Sequence, residues 1–391
     1  MRTTVAVIGG GYGGISTAKA LDEDTDVVLV EPRETFVHHI AALRALTDPQ
    51  WTDRLFFGYD HLLRRGRVLR DRAERVDGTS IRLASGSMLD ADYVVLATGS
   101  EYPFPAKTGV TDSAVAKTKY EATRHALAGS NRVLLLGAGP VALELAGEIK
   151  AAWPDKGVTV VATSADIVPG DYPDEFRTEL RHQLDTLDVE LILGTGLREQ
   201  PSSEPGEAKT FTATLDSNGQ VTADIWFRCF GGAPTTDYLA GELATARRAD
   251  GRLEVTADLR LPGQQRIFAI GDITATPEAK QASAAMAHAD VVADNIRALI
   301  NGGETRTPYE PGPPGIVLPL GPNGGATYAP GWQNHVDADT AAQIARRAAD
   351  RNDPLIAMDI LDAETTAQIK GIDLMTGDIA ALFDGCVRRS V

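Results

Sequence analysis

The sequence predicts an α/β chain built on two parallel, doubly wound sheets, with a small α+β domain at the C-terminal end. Three observations carry this. A β-branched run meets a cluster of glycines and then a small-residue run in "TTVAVIGGGYGGISTAKAL". The same grammar returns about 120 residues later in "NRVLLLGAGPVALELAGEI". Two further apolar runs, "DYVVLATGS" and "RIFAIGDITA", each end in turn residues, as buried parallel strands do.

The first glycine cluster satisfies G-x-G-x-x-G with Gly9, Gly11 and Gly14, and Tyr12 and Gly13 complete the turn. Gly9 permits the tight turn, Gly11 lets backbone approach a pyrophosphate, and Gly14 lets helix and strand pack closely. The helix expected over residues 15–21 then offers free N–H groups and a positive dipole end to phosphates. The next strand, "DVVLV", closes on Glu31, about 20 residues on, where a carboxylate accepts hydrogen bonds from ribose hydroxyls. Strand, helix and acid agree, so this is a Rossmann-like dinucleotide site, with Pro32 and Arg33 following the acid.

The second cluster repeats the motif with Gly137, Gly139 and Ala142, alanine being allowed in the third place. Pro140 suits a first helical turn, where no N–H is needed, and Val141 follows it. The next strand, "GVTVV", ends in Ala162-Thr163-Ser164, without an acid. A carboxylate there would favour NADH and repel a 2′-phosphate, whereas small hydroxyl residues tolerate it. This leans to NADPH or to dual use, with Ser164 at the tip.

Bulk properties narrow the class. At 391 residues, 43% of them hydrophobic, the chain is too long for one simple core. Its net charge of −16, from 38 basic and 54 acidic residues, argues against nucleic-acid binding. The densest basic stretch, "LRRGRVLRDRAER", is broken by acids and reads as solvated surface. No apolar run approaches bilayer length, and residue 2 is arginine rather than a lipidation glycine, so a cytoplasmic protein is expected. The two cysteines, Cys229 and Cys386, form no CxxC, and they cannot by themselves hold a structural zinc or an iron–sulfur cluster. Redox chemistry would therefore sit on a bound organic cofactor.

With its late "GD" at Gly271-Asp272, the chain resembles the two-dinucleotide-binding flavoprotein reductases. That resemblance implies FAD in the first motif and NAD(P)H in the second, with hydride passing from nicotinamide to flavin. It implies that Asp272 holds the ribitol and phosphate end of FAD. It also divides the chain into an FAD domain (1–105 and 236–305) interrupted by a nicotinamide domain with its connection (106–235). The "ATG" of Ala97, Thr98 and Gly99 marks the departure, and "WFRCFGGAP", with Gly232, the return. A Pro- and Gly-rich boundary at residues 301–315 precedes a C-terminal interface domain (306–391), and residues 202–220 read as a polar hairpin.

A narrower resemblance rests on "ETFVHHIAALRAL", "ATGSEYPFPAK", "AGEIKAAWPDKGVTV" and "ATPEAKQASAAMAHADVVADNI". These look like the ferroptosis-suppressor subgroup of apoptosis-inducing-factor-like oxidoreductases, which are FAD-containing NAD(P)H:quinone reductases. By that resemblance Lys107 and Glu144 lie close to the flavin ring, where a lysine stabilises the anionic reduced form. Arg44, Lys280, Gln281 and Ala282 join the cofactor-binding set, the last three at the start of a helix expected over residues 278–300. Each has a plainer reading: Lys107 as a loop lysine, Glu144 as an exposed helical carboxylate. His288 is either a proton donor to a quinone or a core histidine. His38 matches a family histidine whose plainer role is packing, and Cys229, in a buried strand, reads as inert.

The expected function is reduction of a quinone or similar small electrophile. The rivals are a ferredoxin- or rubredoxin-type protein acceptor, a slow redox-sensing flavoprotein and a specialised biosynthetic flavoenzyme. No metal is expected. A homodimer is admitted, and peripheral membrane contact through the weakly amphipathic "IAALFDGCVRRSV" is not favoured over its packing on the body.

Overall fold

The computed structural model describes residues 2–303, 307–334, 336, 338–369 and 383. Its centre is a five-stranded parallel sheet in the spatial order Ile267–Ala269, Tyr93–Leu96, Thr4–Ile8, Asp26–Val30, Arg67–Leu69. A second parallel sheet runs Ile225–Arg228, Arg132–Leu136, Gly157–Ala162, Val189–Leu193. In both, the fingerprint strand is central and the strand after the fingerprint helix lies on the same side. The late strand at residues 267–269 returns to the edge of the first sheet, after the whole second sheet has been built.

Alternation along each strand gives each sheet two apolar faces. In the first sheet, Val5, Val7, Leu29 and Val95 face the helices Tyr12–Leu21 and Ala282–Ile300. Ala6, Ile8, Val28 and Leu96 face a three-stranded meander over residues 73–90. In the second sheet, Val133, Leu135 and Val160 meet the helices, while Leu134, Leu136 and Trp226 meet the hairpin of Phe211–Thr214 and Gln220–Ala223. The hairpin expected over 202–220 is displaced, with strands at Phe211–Thr214 and Gln220–Ala223, so that its second strand lies almost wholly beyond the expected end. The arginines of the basic stretch at residues 63–75 are all exposed.

Three sequence expectations change. The span before residue 130 is not a bare connection. It holds a helix, Ser113–Gly129, capped by the Asp112 carboxylate accepting from Val115 N–H at 3.0 Å. Its Ala116, Tyr120, Thr123 and Leu127 form the buried stripe. The helix expected from residue 278 starts at Ala282 instead, because Glu278 and Lys280 turn back to bond Thr276. Finally, Ala41, Ala42, Leu43, Ala45, Leu46, Trp51 and Leu55 precede the first "ATG" in sequence but sit in the core of the second sheet. The alanines of "HHIAALRAL" keep that approach close.

The C-terminal unit opens with an antiparallel pair, Ile316–Pro319 and Gly325–Tyr328, as expected, joined by Ile360–Leu361. It docks on the second fingerprint helix, Pro140–Ala152, so tightly that a Cβ on Gly147 would lie 2.3 Å from Leu320 backbone. The proposed tail segment at residues 379–391, with Cys386, lies outside the described residues except for Phe383. That ring is fully buried against Phe36, Phe57 and Tyr59, at 5.6, 5.5 and 6.4 Å between centroids. No helix among the described residues is long and apolar enough to cross a membrane.

Candidate active site

The two glycine turns have the same backbone construction. Gly9 (φ +106°) and Gly137 (φ +107°) hold left-handed conformations that glycine adopts without a steric penalty. Each also lies against the end of the neighbouring parallel strand: a Cβ on Gly9 would meet Ala97 O at 2.5 Å, and one on Gly137 would meet Cys229 O at 2.9 Å. The middle glycines differ from these, because a Cβ on Gly11 or Gly139 would find nothing within 4 Å. Both middle glycines are N-caps, so open space lies beside the unpaired N–H groups of two helix ends. That is the cradle a pyrophosphate requires, and it occurs twice.

Around the first turn, Glu31 is 3% exposed and accepts from Gly10 N–H at 2.6 Å and Arg33 N–H at 2.9 Å. The Arg33 guanidinium stands 3.5 Å away, beside Pro32. A carboxylate offers about four lone-pair sites, so two stay available to ribose hydroxyls. Tyr59, which the sequence analysis did not single out, donates to Gly10 O at 2.8 Å. Burial, then the nearby Glu31 charge, push its phenol well above the usual range. Tyr12 packs edge-on to Phe36 and pairs with His38 Nδ1 at 3.0 Å, and burial raises its phenol too. Gly13 lets the Ala282–Ile300 helix cross closely, since a Cβ there would lie 3.0 Å from Ala285 O.

The outgoing and returning chains pair with each other. Ser100–Glu101 runs antiparallel to Ala233–Pro234, just past Gly232, and Thr98 donates to Thr235 O at 2.5 Å. This crossing brings together three groups from distant sequence. Ser100 donates to Asp272 Oδ2 at 2.5 Å, and Lys107 Nζ reaches Ser100 O and Oγ at 2.9 Å and Asp272 Oδ2 at 3.2 Å. Asp272 follows Gly271 (φ +70°) at the end of the late strand. A lysine, a hydroxyl and a carboxylate with side chains 30% and 21% exposed for Lys107 and Asp272 make a polar, accessible anchor.

Other expected residues fall in separate places. Lys280 donates to Thr276 O and Oγ1, both at 2.9 Å, and burial lowers its ammonium below the usual lysine range. Gln281 caps the helix beginning at Ala282 and donates to Gly315 O at 2.8 Å. Glu144 is half-buried on the second fingerprint helix, behind Pro140 and Val141. Arg44 reaches across to Glu148 on that same helix, with Nε and Nη2 at 2.9 and 2.8 Å from Oε1, and lies over Trp51. It forms a buried strut between the units. Ser164 donates to Asp166 O at 2.8 Å. Cys229 is buried and its thiol is pushed up to about 12, away from reactivity. His288 is 1% exposed with both ring nitrogens engaged. Among the described residues no three His, Cys, Asp or Glu converge as a metal site. A cavity of about 670 Å³ beside Trp332 and Ala345 involves neither glycine turn.

Ser100, Tyr59, Glu148 and Glu278 were missed by the sequence reading. Only Ser100 carried a signal, as the residue directly after "ATG".

Comparison with known proteins agrees with this architecture. A family model for pyridine nucleotide-disulphide oxidoreductases matches residues 3–289. Ferroptosis suppressor protein 1 of Taeniopygia guttata is 30% identical over 335 residues, covering 84% of this chain and 89% of its own. Apoptosis-inducing factor homolog B of Dictyostelium discoideum is 28% identical, covering 83% and 89%. Among solved structures, NDH2 from Plasmodium falciparum in complex with NADH superposes with a TM-score of 0.65 at 13% identity, covering 84% of this chain and 90% of that one. The two cradles fit FAD and a nicotinamide dinucleotide, and the chain belongs to the pyridine nucleotide-disulphide oxidoreductase family as an FAD-dependent NAD(P)H oxidoreductase.

Proposed function

We propose that the protein passes reducing equivalents from NAD(P)H through FAD to a quinone or similar small electrophile. The observation that carries this reading is the Lys107–Ser100–Asp272 cluster, partly open at the junction of two dinucleotide cradles. FAD, when bound, supplies the two-electron chemistry that takes hydride from a nicotinamide and delivers electrons onward. The protein's own groups do the rest. The N–H groups behind Gly11 bind pyrophosphate and Glu31 orients the adenosine ribose. Asp272, held by Ser100, fixes the ribityl end, and Lys107 adds positive charge where negative charge develops. The Gly139–Pro140–Val141 end of the second helix binds the nicotinamide nucleotide, and Glu144 lies on the same helix.

The small-electrophile reading is supported by the resemblance to quinone reductases in the segments at residues 34–46 and 97–107. It is also supported by the buried, unreactive Cys229, which leaves no thiol relay for a disulfide acceptor among the described residues. The tip of Gly157–Ala162 carries no acid, which supports use of NADPH alongside NADH. The test is anaerobic. NADH or NADPH should bleach the flavin absorbance, and short-chain quinones should restore it within the turnover time. Restoration only by ferredoxin or rubredoxin would overturn the small-acceptor reading, and a protein that never binds FAD would overturn the whole scheme.

A further inference from the structure

We infer that Glu278, Tyr309 and His288 form a positioning relay that holds the Gly271–Asp272 turn in its FAD-binding conformation. The inference rests on FAD occupying the first cradle and not on the identity of the acceptor.

The relay is read from one hydrogen bond outward. Gly271 N–H donates to His288 Nδ1 at 3.0 Å. An N–H pointing at Nδ1 requires a lone pair there, so the imidazole proton sits on Nε2. That proton meets Glu278 Oε1 at 2.8 Å. Thr276 donates to the same carboxylate oxygen at 2.8 Å, and the Tyr309 hydroxyl donates to Oε2. Tyr309 also packs edge-on to the imidazole, with centroids 4.2 Å apart and planes at 84°. The Lys280 ammonium closes the far side through Thr276. Burial pushes the Glu278 carboxyl up, but hydrogen bonds from His288, Tyr309 and Thr276 outweigh it and hold it at about 2. Glu278 is therefore an anion that fixes the orientation of the His288 ring through Nε2.

The output of the relay is backbone geometry. Thr274 N–H and Oγ1 both donate to Gly271 O, at 3.0 and 2.9 Å, so Gly271 is pinned through its carbonyl as well as its N–H. Asp272 is the next residue, and its carboxylate meets Ser100 and Lys107. His288, being 1% exposed and bonded at both nitrogens, acts on the reaction only through this turn. Its role is positioning, not proton donation to the acceptor.

Three variants of the holoenzyme test this: His288→Leu, which removes the acceptor for Gly271 N–H; His288→Asn, whose Oδ1 takes the place of Nδ1; and Glu278→Gln. The readouts are FAD dissociation constant, flavin midpoint potential and quinone turnover. We expect His288→Leu to weaken FAD binding about tenfold and to shift the potential, and His288→Asn to restore both to within about threefold of the parent. Glu278→Gln should fall between them. If Asn binds FAD as poorly as Leu, the acceptor role is wrong. If both variants keep FAD and its potential but lose reoxidation by quinone, His288 is a proton donor and the relay is overturned.

Discussion

Gly9 and Gly137 hold the same bend in two places, yet the turns they open are finished differently. Gly9 N–H donates to Val30 O at 2.9 Å, and Gly137 N–H donates to Val161 O at 2.8 Å. This register makes Ala162 the counterpart of Glu31, and Ala138 the counterpart of Gly10. In the first turn, Glu31 and Tyr59 grip Gly10 from both sides, and a Cβ on Gly10 would lie 2.5 Å from the Tyr59 hydroxyl. In the second turn Ala138 stands where Gly10 does and Ala162 where Glu31 does, and the nearby Tyr102 phenol donates to Cys229 O at 2.7 Å, on the neighbouring strand end, rather than to the turn itself. The third glycine differs in the same sense: a Cβ on Gly14 would overlap Gly9 O at 1.9 Å, while Ala142 carries one in its fully buried place. The first turn is clamped at Gly10 by two side chains, which under the proposed assignment suits a permanently bound FAD. The second is built open, as suits a dinucleotide that arrives and leaves.

The strongest way to break this comparison is to exchange its glycines. Gly14→Ala drives a methyl into Gly9 backbone, which has no flexible end to move aside, and should cost about 3 kcal/mol or more. We expect a colourless protein with a lowered Tm, measured by flavin absorbance per chain and thermal melting. Gly11→Ala and Gly139→Ala separate binding from folding, because each new Cβ enters space that is open in the protein and filled only by a pyrophosphate. Gly11→Ala should lose FAD, and with it all activity. Gly139→Ala should stay yellow and raise KM for the nicotinamide about a hundredfold. A Gly139→Ala protein that loses its flavin would mean that the assignment of the two sites is reversed.

The next largest effect concerns what joins the turns. The Arg44–Glu148 pair is nearly buried, with side chains 13% and 9% exposed, and Thr47 Oγ1 donates to Glu148 Oε2 at 3.3 Å. Removing one partner leaves the other charged and dry, which costs about 3–5 kcal/mol. Arg44→Met should therefore melt well below the parent, whereas the double variant Arg44→Met with Glu148→Leu should recover much of the loss. If the single variant melts with the parent, the strut is ornamental and the units dock through the Ala41–Leu55 packing alone.

A third change writes the missing acid into the second turn. Ala162→Asp places a carboxylate where the register puts Glu31 in the first. It should repel a 2′-phosphate and lower kcat/KM for NADPH about tenfold, with NADH spared, a difference of about 1.4 kcal/mol. Equal losses for both nucleotides would show a packing effect, since Ala162 is 6% exposed.

Much of this was legible because the dinucleotide fold ties residue type to backbone position. Gly9, Gly11, Gly14 and Glu31 are readable from spacing, because all four lie within a single strand–turn–helix–strand unit of about 25 residues. Asp272 was legible only through the family resemblance of the late "GD", Ser100 was passed over although it directly follows "ATG", and their meeting depends on a sheet completed after the second unit is made. Glu278 was hidden for a physical reason. Its segment looked like the start of a helix, and bonds to Thr276, His288 and Tyr309 hold it out of that helix. Tyr59 and Glu148 left no signal, because a phenol donating to a carbonyl and an ion pair across units follow no local period.

The smallest effect is pH dependence, and it too divides between the units. Glu278, in the first, is held at about 2 against an ordinary value of 4.5. Its folded pKa is depressed, so its stabilisation is complete above about pH 4.5 and is lost as pH falls towards about 2. Asp224, in the second, is likewise held well below the carboxylate range, chiefly by the Arg132 guanidinium at 2.7 Å, and it accepts from Arg132 N–H at 3.0 Å beside the central strand. Both contributions therefore disappear in acid, but from different sheets. Glu278→Gln should flatten the acid limb of FAD retention and leave the acid limb of nicotinamide binding unchanged. Asp224→Asn should do the reverse. Flavin release and nicotinamide affinity measured from about pH 5 down to about pH 2 read the two limbs separately. A single limb that moves in both variants would mean that the units unfold as one, with the Arg44–Glu148 strut coupling them more tightly than either turn is held by its own carboxylate.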